Sequence, residues 1–401
     1  MRRIAHVLLI ATLLAIPVED VWDLPGVGTL AKVLGLLAFG AWALSVLASG
    51  RMRATDAFHA FAFSLVAWVG LSLFWSLDTN TTLERIETFL QLLALSIVVW
   101  DICVSERMIG AALQALVFGL WVAAGSVFVN FARGVEAYYG RFASTGADPN
   151  YLAMTLALGI PMAWHLSLRT PNRALRVFNM LYIPVAGVAM GLTGSRGGFV
   201  AGFVAVAYIL STVKQLRPAG LVGLLVIVAV AITTISSIVP DTTFERIGSV
   251  GTEFAEGDLN GRAGIWLEAR DAFVERPVFG IGAGASRAVL PTGKVGHNVA
   301  ITMGLELGIV GLFLFGGMVG SALRAAAQGH QPDRRMWLVL LAIWGIGSLS
   351  LSLETRKFTW ILLTLVALAP HAVRRTGPEG DPTDGVVGQP SPYATHVGQP
   401  R

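Results

Sequence analysis

Charge is scarce in this chain. Asp, Glu, Lys and Arg make up 13% of its 401 residues, whereas ordinary soluble domains carry roughly 25%. With 54% hydrophobic residues and a mean hydropathy of +0.67, a soluble globular enzyme is excluded. Ten-residue segments of alternating hydrophobicity are missing too, which excludes a transmembrane barrel. Helices remain, because lipid offers backbone groups no partners. Cys103 is the single cysteine, so no intrachain disulfide braces the loops. A Walker phosphate loop is lacking, which leaves nucleotide-driven transport without support. Also lacking are HExxH, clustered Cys/His and Asp-x-Asp patterns. Glu19-Asp20 and Glu256-Gly257-Asp258 read most simply as solvated loop acids, so neither a metal nor a cofactor is expected. The net charge of +4 does not point to nucleic acid.

What the chain does have is apolar runs, many near the 20 residues a helix needs to cross ~30 Å of hydrocarbon. They predict an all-α, polytopic membrane protein with about twelve spans. These lie near 4–18, 27–49, 57–76, 83–103, 108–131, 150–168, 177–195, 197–213, 219–239, 298–323, 336–353 and 358–373. Arg2-Arg3 before Ile4–Val18 imitates a signal peptide. Glu19-Asp20 follows it with no small-x-small cleavage site, so it reads as a retained first span. Alternate connections are basic, including Arg51-Met52-Arg53, Arg169 to Arg176 and Arg324 to Arg335, whereas the first loop on the other side, Glu19 to Asp23, is acidic. The positive-inside rule then places both termini in the cytoplasm. Residues 1–375 form one transmembrane unit. Its long outer loops are 132–149 and 240–297, and a Pro- and Gly-rich tail over 376–401 reads as disordered.

Sidedness sorts the candidates for chemistry. Of seven histidines only His297 falls on the outer face, and histidine is the side chain best suited to proton transfer near neutral pH. A lone loop histidine is usually inert, so spacing alone does not decide its role. Arg196 sits in Thr193-Gly194-Ser195-Arg196-Gly197-Gly198. There Ser195 can cap the next span, and the helix N-terminus adds free N–H groups to the guanidinium. The arrangement suits a phosphate, although a turn with a snorkelling arginine fits equally well. Arg262 opens a segment in which Arg262, Trp266, Ala269 and Phe273 share one face, predicting an amphipathic outer helix. Pro277 and Gly280-Ile281-Gly282-Ala283-Gly284 then predict a flexible turn. Arg141 lies in the other outer loop, and Arg246, Arg270, Arg276 and Arg287 are further cations that the sequence cannot rank. Glu306, inside a span, should be paired or protonated.

These residues together resemble a known family. Arg262 to Gly284, with Trp266, Pro277 and Gly280-x-Gly282-x-Gly284, is similar to the signature region of bacterial O-antigen ligases and polymerases. His297-Asn298, nine residues, then Gly308-Ile309-Val310-Gly311 resembles the HNx9GxxG pattern of O-antigen ligases and protein O-oligosaccharyltransferases. The Gly194-Ser195-Arg196-Gly197 turn resembles the family's other arginine motif. The resemblance implies a GT-C-like fold in the bacterial inner membrane. It also implies an enzyme that moves O-antigen from undecaprenyl diphosphate to a sugar hydroxyl of lipid A-core on the periplasmic side. In that setting His297, Arg196 and Arg262 would be catalytic, and Arg141, Ser195, Trp266, Arg270 and Asn298 would bind substrate, with membrane lipids around them and no metal. An O-antigen polymerase, a protein O-oligosaccharyltransferase and, from another class, a lipid-linked glycan transporter remain as alternatives.

Overall fold

A computed structural model describes residues 1–21, 23–24, 28–213, 248, 262–290, 296–329 and 333–372. The elements are helices α1 (Arg2–Ala15), α2 (Leu30–Ser49), α3 (Ala57–Leu71), α4 (Thr79–Ile102), α5 (Glu106–Ala132), α6 (Pro149–Arg169), α7 (Arg173–Thr193), α8 (Arg196–Thr212), α9 (Arg262–Glu275), α10 (Ser286–Val289), α11 (Val299–Gln328), α12 (Asp333–Ser348) and α13 (Lys357–Leu368). A two-residue ribbon, Asp23–Leu24 with Gly28–Thr29, precedes α2. Six of the helices are long and apolar enough to cross a membrane: Leu30–Ser49, Ala57–Phe74, Glu106–Ala132, Pro149–Arg169, Arg173–Thr193 and Val299–Gln328. The architecture is all-α, as composition demands. Eleven of the expected spans coincide with described helices, and 219–239 lies outside the described residues, as does the tail.

Local chemistry sets the boundaries. Thr29, Asp56, Asp78, Ser105, Asp148, Asn172, Ser195 and Asn298 each stand at an N-cap, with a side-chain oxygen accepting from an N–H of the first turn. Such a cap contributes about 1 kcal/mol. Gly50 and Gly194 close α2 and α7 in the left-handed conformation that glycine adopts without steric cost. Inside the bundle, α13 is buried from Phe358 to Leu368 and α6 is buried along nearly its whole length. A helix apolar all round belongs in the interior. By contrast α2 is peripheral, with Leu36, Leu44 and Leu47 exposed.

The basic connections gather at one end. Asp101 accepts from the Arg2 guanidinium, from the Arg53 backbone N–H at 2.7 Å and from Trp42 Nε1, while Arg53 also donates to the His371 carbonyl. His165 and Arg169 both meet Asp333. His59 completes the cap of α3 with Asp56, whose carboxyl is held below its ordinary range by those hydrogen bonds, against the opposing effect of burial. These histidines are structural partners. The expected outer segments meet at the other end, where Lys357 pairs with Glu19 and Leu77 N–H bonds to the Ile281 carbonyl at 3.0 Å.

Candidate functional site

Three glycines shape the ground on which the site stands. Gly280, Gly282 and Gly284 have φ of +69°, +104° and +78°, and residues 280–286 are buried. The segment is therefore a packed wedge, which corrects the expectation of a flexible turn. A Cβ on Gly280 would lie 2.4 Å from the Glu306 carbonyl oxygen, and one on Gly282 would lie 2.4 Å from Ser76 Oγ. Glycine is needed here for close approach and positive φ. The wedge docks through Ala283 N–H to Ser72 Oγ, Thr82 Oγ1 to the Ala283 carbonyl and Trp75 Nε1 to the Phe279 carbonyl.

Opposite the wedge, α11 is broken. Gly308 takes φ 68° and ψ −165°, so carbonyls that lose their helical partners must be satisfied elsewhere. Leu305 O accepts from Ile281 N–H, Glu306 O from Gly282 N–H, and Leu307 O from Trp68 Nε1, while Ile309 N–H donates to the Pro277 carbonyl at 2.8 Å. Glu306 accepts from Gly284 N–H at 2.7 Å and from the Ser286 hydroxyl. The pairing expected for Glu306 is with the wedge. The GxxG of the motif thus has a physical account. Gly308 makes the break, and Gly311 leaves room for Leu307, whose Cβ a side chain at 311 would meet at 2.2 Å.

On this base the motif residues assemble. Asn298 caps α11, accepting from Ala300 and Ile301 N–H, and its Nδ2 donates to the Leu349 carbonyl at 3.2 Å. His297 beside it has φ +45°, a conformation costing of order 1–3 kcal/mol in a non-glycine residue, and such strain clusters at functional sites. Trp266 of α9 donates to the Gly296 carbonyl at 2.9 Å, so α9 holds the residue immediately before His297. Arg262 begins α9 one turn earlier. The buried face of α9 carries Ile265 and Ala269, packed on Ile281, Ala285, Leu290 and Leu305. Leu267 and Val274 are exposed on its other side. The expected face is therefore rotated, because α9 packs on the wedge as well as on α11. Arg270 points into the open and, among the described residues, meets Asp271 at 3.5 Å.

A second group forms a small recess of about 80 Å³ lined by Arg141, Asn150, Ser195, Arg196, Gly197 and Ser350, among others. Ser195 Oγ caps α8 by accepting from Gly198 N–H at 3.2 Å. Gly198 also lets α8 press on α6, since a Cβ there would lie 2.4 Å from Ala153 Cβ. Arg141 is a strut: its Nε donates to the Thr193 carbonyl at the end of α7, and its Nη2 to Asn150 Oδ1, each at 2.7 Å. Arg196, half-buried, stands at the first position of α8.

The segment after α12 joins the two groups, which the sequence reading missed. Leu349 holds Asn298, Ser350 lines the recess, and Ser352 Oγ lies 3.3 Å from Thr302 Oγ1. Glu354 follows, 2% exposed, with Oε2 lacking a hydrogen-bond partner among the described residues. Burial, with Glu306 adding to it, pushes its carboxyl up to about 8. No motif marks 347–354 in sequence, since its role comes from where α12 ends. No group of three His, Cys, Asp or Glu side chains is gathered among the described residues as a metal ion would need. Arg246 lies outside the described residues.

A search of curated proteins finds no match. The family model described as O-antigen ligase matches residues 180–316, which run from α7 through the α8 cap, α9, the wedge and His297 to the break in α11. Over that stretch, about a third of the chain, it is similar to the O-antigen ligase family.

Proposed function

We propose that the protein is an O-antigen ligase with a GT-C-like arrangement of about twelve spans. It would transfer O-antigen polysaccharide from undecaprenyl diphosphate to a sugar hydroxyl of lipid A-core, on the periplasmic face of the bacterial inner membrane and without a metal. The observation that carries the reading is the joining of two chemistries by one short segment. Residues 347–352 touch both the Ser195–Arg196 helix N-terminus and the Asn298 cap beside His297.

The first supplies a seat for the leaving diphosphate. The first-turn backbone of α8, the helix dipole and the Arg196 guanidinium all favour an anion there, and Arg262, at the start of α9, would add a second cation. Neutral His297 takes the proton of the acceptor hydroxyl while the hydroxyl oxygen attacks the anomeric carbon from the face opposite the diphosphate. The C–O bond to phosphate breaks, the configuration inverts, and undecaprenyl diphosphate leaves with both electrons of that bond. Its activated anomeric bond supplies the driving force, so no nucleotide is consumed. Arg141 and Asn150 hold α6 and α7 in place around the recess, while Trp266 fixes the backbone that carries His297.

Purified protein mixed with lipid-linked glycan and rough lipopolysaccharide, without ATP, tests this. Lipopolysaccharide of higher mass is the expected product. Lengthened lipid-linked glycan would instead identify a polymerase, and no covalent product would favour a transporter.

A further inference from the structure

Among the described residues two that are not glycine have a positive φ: His297, and Tyr139 at +22°. Tyr139 sits with Gly140, φ +70°, at the centre of a tight turn. Arg141 N–H closes it on the Tyr138 carbonyl at 2.7 Å, and Ala137 N–H meets the Arg141 carbonyl at 2.8 Å. Turns with both central residues at positive φ favour Asn-Gly or Gly-Gly. A tyrosine there carries backbone strain that packing would have to offset. Packing does not, since Tyr139 is 94% exposed and Tyr138 55%. Single exposed apolar side chains are ordinary, but one held outward at a conformational cost is not explained by folding alone.

The loop around this tip is pinned. Glu136 accepts from Gly140 N–H at 2.7 Å, Phe142 N–H donates to the Leu192 carbonyl at 2.9 Å, and Asn130 Nδ2 donates to the Ala143 carbonyl at 2.8 Å. Phe131 and Phe142 pack edge to face at 5.0 Å. Arg141 ends the turn and also lines the recess, where it holds the Thr193 carbonyl and Asn150. Two residues of chain span at most about 7 Å, so the Tyr139 backbone stands within that distance of a recess residue. The turn also starts beyond the lipid. Helix α5 has 27 residues, about 40 Å at 1.5 Å each, and from its charged start at Glu106-Arg107 it overruns a ~30 Å hydrocarbon core by about 10 Å. Exposed Arg133 and Glu136 follow it.

We propose that the Tyr138–Tyr139 turn is a stacking platform for a pyranose ring of a glycan chain. The apolar C–H face of the sugar lies on the Tyr139 ring, and the phenol hydroxyl bonds to a sugar hydroxyl. Tyrosine offers this contact area with few rotatable bonds, and a turn already fixed in place loses little further freedom on binding. Recess and turn then hold one molecule at two points, an anion at Arg196 and a sugar farther along the chain, so a multi-unit chain gains over a single unit. A protein partner fits less well, because a two-residue tip covers far less than the ~800 Å² per partner of a stable contact. That the glycan is the chain of the lipid-linked donor rests on the ligase reading. That the turn binds a glycan does not.

Full-length protein in nanodiscs tests the site, titrated with free polysaccharide released by mild acid from the host bacterium's lipopolysaccharide and followed by saturation-transfer NMR. Wild type and Tyr139→Phe, which keeps the ring, should bind it. Tyr139→Asn should bind about three- to tenfold more weakly, the scale of one aromatic contact. Asparagine suits this turn better than tyrosine does, so that variant should fold at least as well, and its loss is that of the ring. In transfer assays the preference for a multi-unit over a one-unit lipid-linked donor should fall by the same factor. Equal binding by wild type and Tyr139→Asn, or none by wild type, overturns the proposal. So does a spin label on Tyr139→Cys, in a Cys103→Ser background, that meets lipid-borne oxygen more than an aqueous nickel chelate, which would assign the turn to the bilayer interface. Glycan held at Tyr139 by a protein that transfers nothing overturns the ligase reading alone. Transfer with the same donor preference in Tyr139→Asn as in wild type overturns this proposal alone.

Discussion

His297 carries the sharpest expectation at the scale of single residues. Loss of a positioned base typically lowers rate by about 10²–10⁴. His297→Ala should therefore nearly abolish transfer while lipid-linked donor still binds. His297→Gln keeps a hydrogen bond without accepting a proton, and near-normal turnover in that variant would make the histidine a positioning group. Arg196→Lys retains charge but loses the planar fork, so it should still impair transfer; a well-folded Arg196→Ala protein with full activity would remove the phosphate assignment. Glu354 gives a pH signature. Its folded carboxyl titrates near 8, above an unfolded value near 4.3, so the folded state holds a proton that the unfolded state has released between those values. Stability should fall as pH rises from about 4.3 through 8. Thermal unfolding followed across that window should show this slope in the wild type and lose it in Glu354→Gln. The Ser195 cap was legible in sequence because capping needs only a side chain and the next three N–H groups, whereas Asn298 was marked by its motif and its capping role came from the structure. Ser350 and Glu354 were not legible, because packing across distant helices brings them to the site.

Among the elements, the wedge and the break in α11 fit each other as a single joint. A Cβ on Gly308 would lie 2.1 Å from the Val278 carbonyl oxygen, at a φ of +68°. Gly308→Ala should thus cost more than the 1 kcal/mol or so usual for strained glycines, lowering both folded yield and activity. Gly316→Ala makes the control, since nothing lies within 4 Å of its added Cβ. Helix propensity alone should leave that variant unchanged or stabilised, by up to about 1 kcal/mol. Thermal melts of the two in the same detergent check the contrast. The sequence marked the position of every one of these glycines but misread their purpose over 280–284. A run of glycines looks alike whether it bends freely or is packed between side chains, and only the tertiary contact with Glu306 and Ser76 tells the two apart.

For the whole molecule, hydropathy and alternating basic connections were enough to sort the chain onto two faces. The structure brings Arg2, Arg53, Asp101 and His371 together at one end and the His297 cluster, Glu19 and Glu354 at the other. Which face meets the periplasm is open to labelling. Thr145 and Thr55 are exposed at opposite ends, and Cys103 is buried. In a Cys103→Ser background, Thr145→Cys should react with a membrane-impermeant maleimide in intact spheroplasts, and Thr55→Cys only after lysis. The reverse pattern would place His297 in the cytoplasm. Transfer should also survive EDTA; a loss restored by magnesium or manganese would direct attention to Asp20 and its neighbours.

The joint at Gly308 also bears on how the protein is made. Leu305, Glu306 and Leu307 direct carbonyls out of the helix toward partners on α3 and the wedge, and a carbonyl left alone in hydrocarbon costs several kcal/mol. A nascent α11 released into lipid by itself would expose all three. The ribosome delivers the wedge before α11 and α3 long before both, so every partner already exists when α11 emerges. Chain order thus doubles as assembly order, and the His297 end is completed only as this helix leaves the insertion machinery.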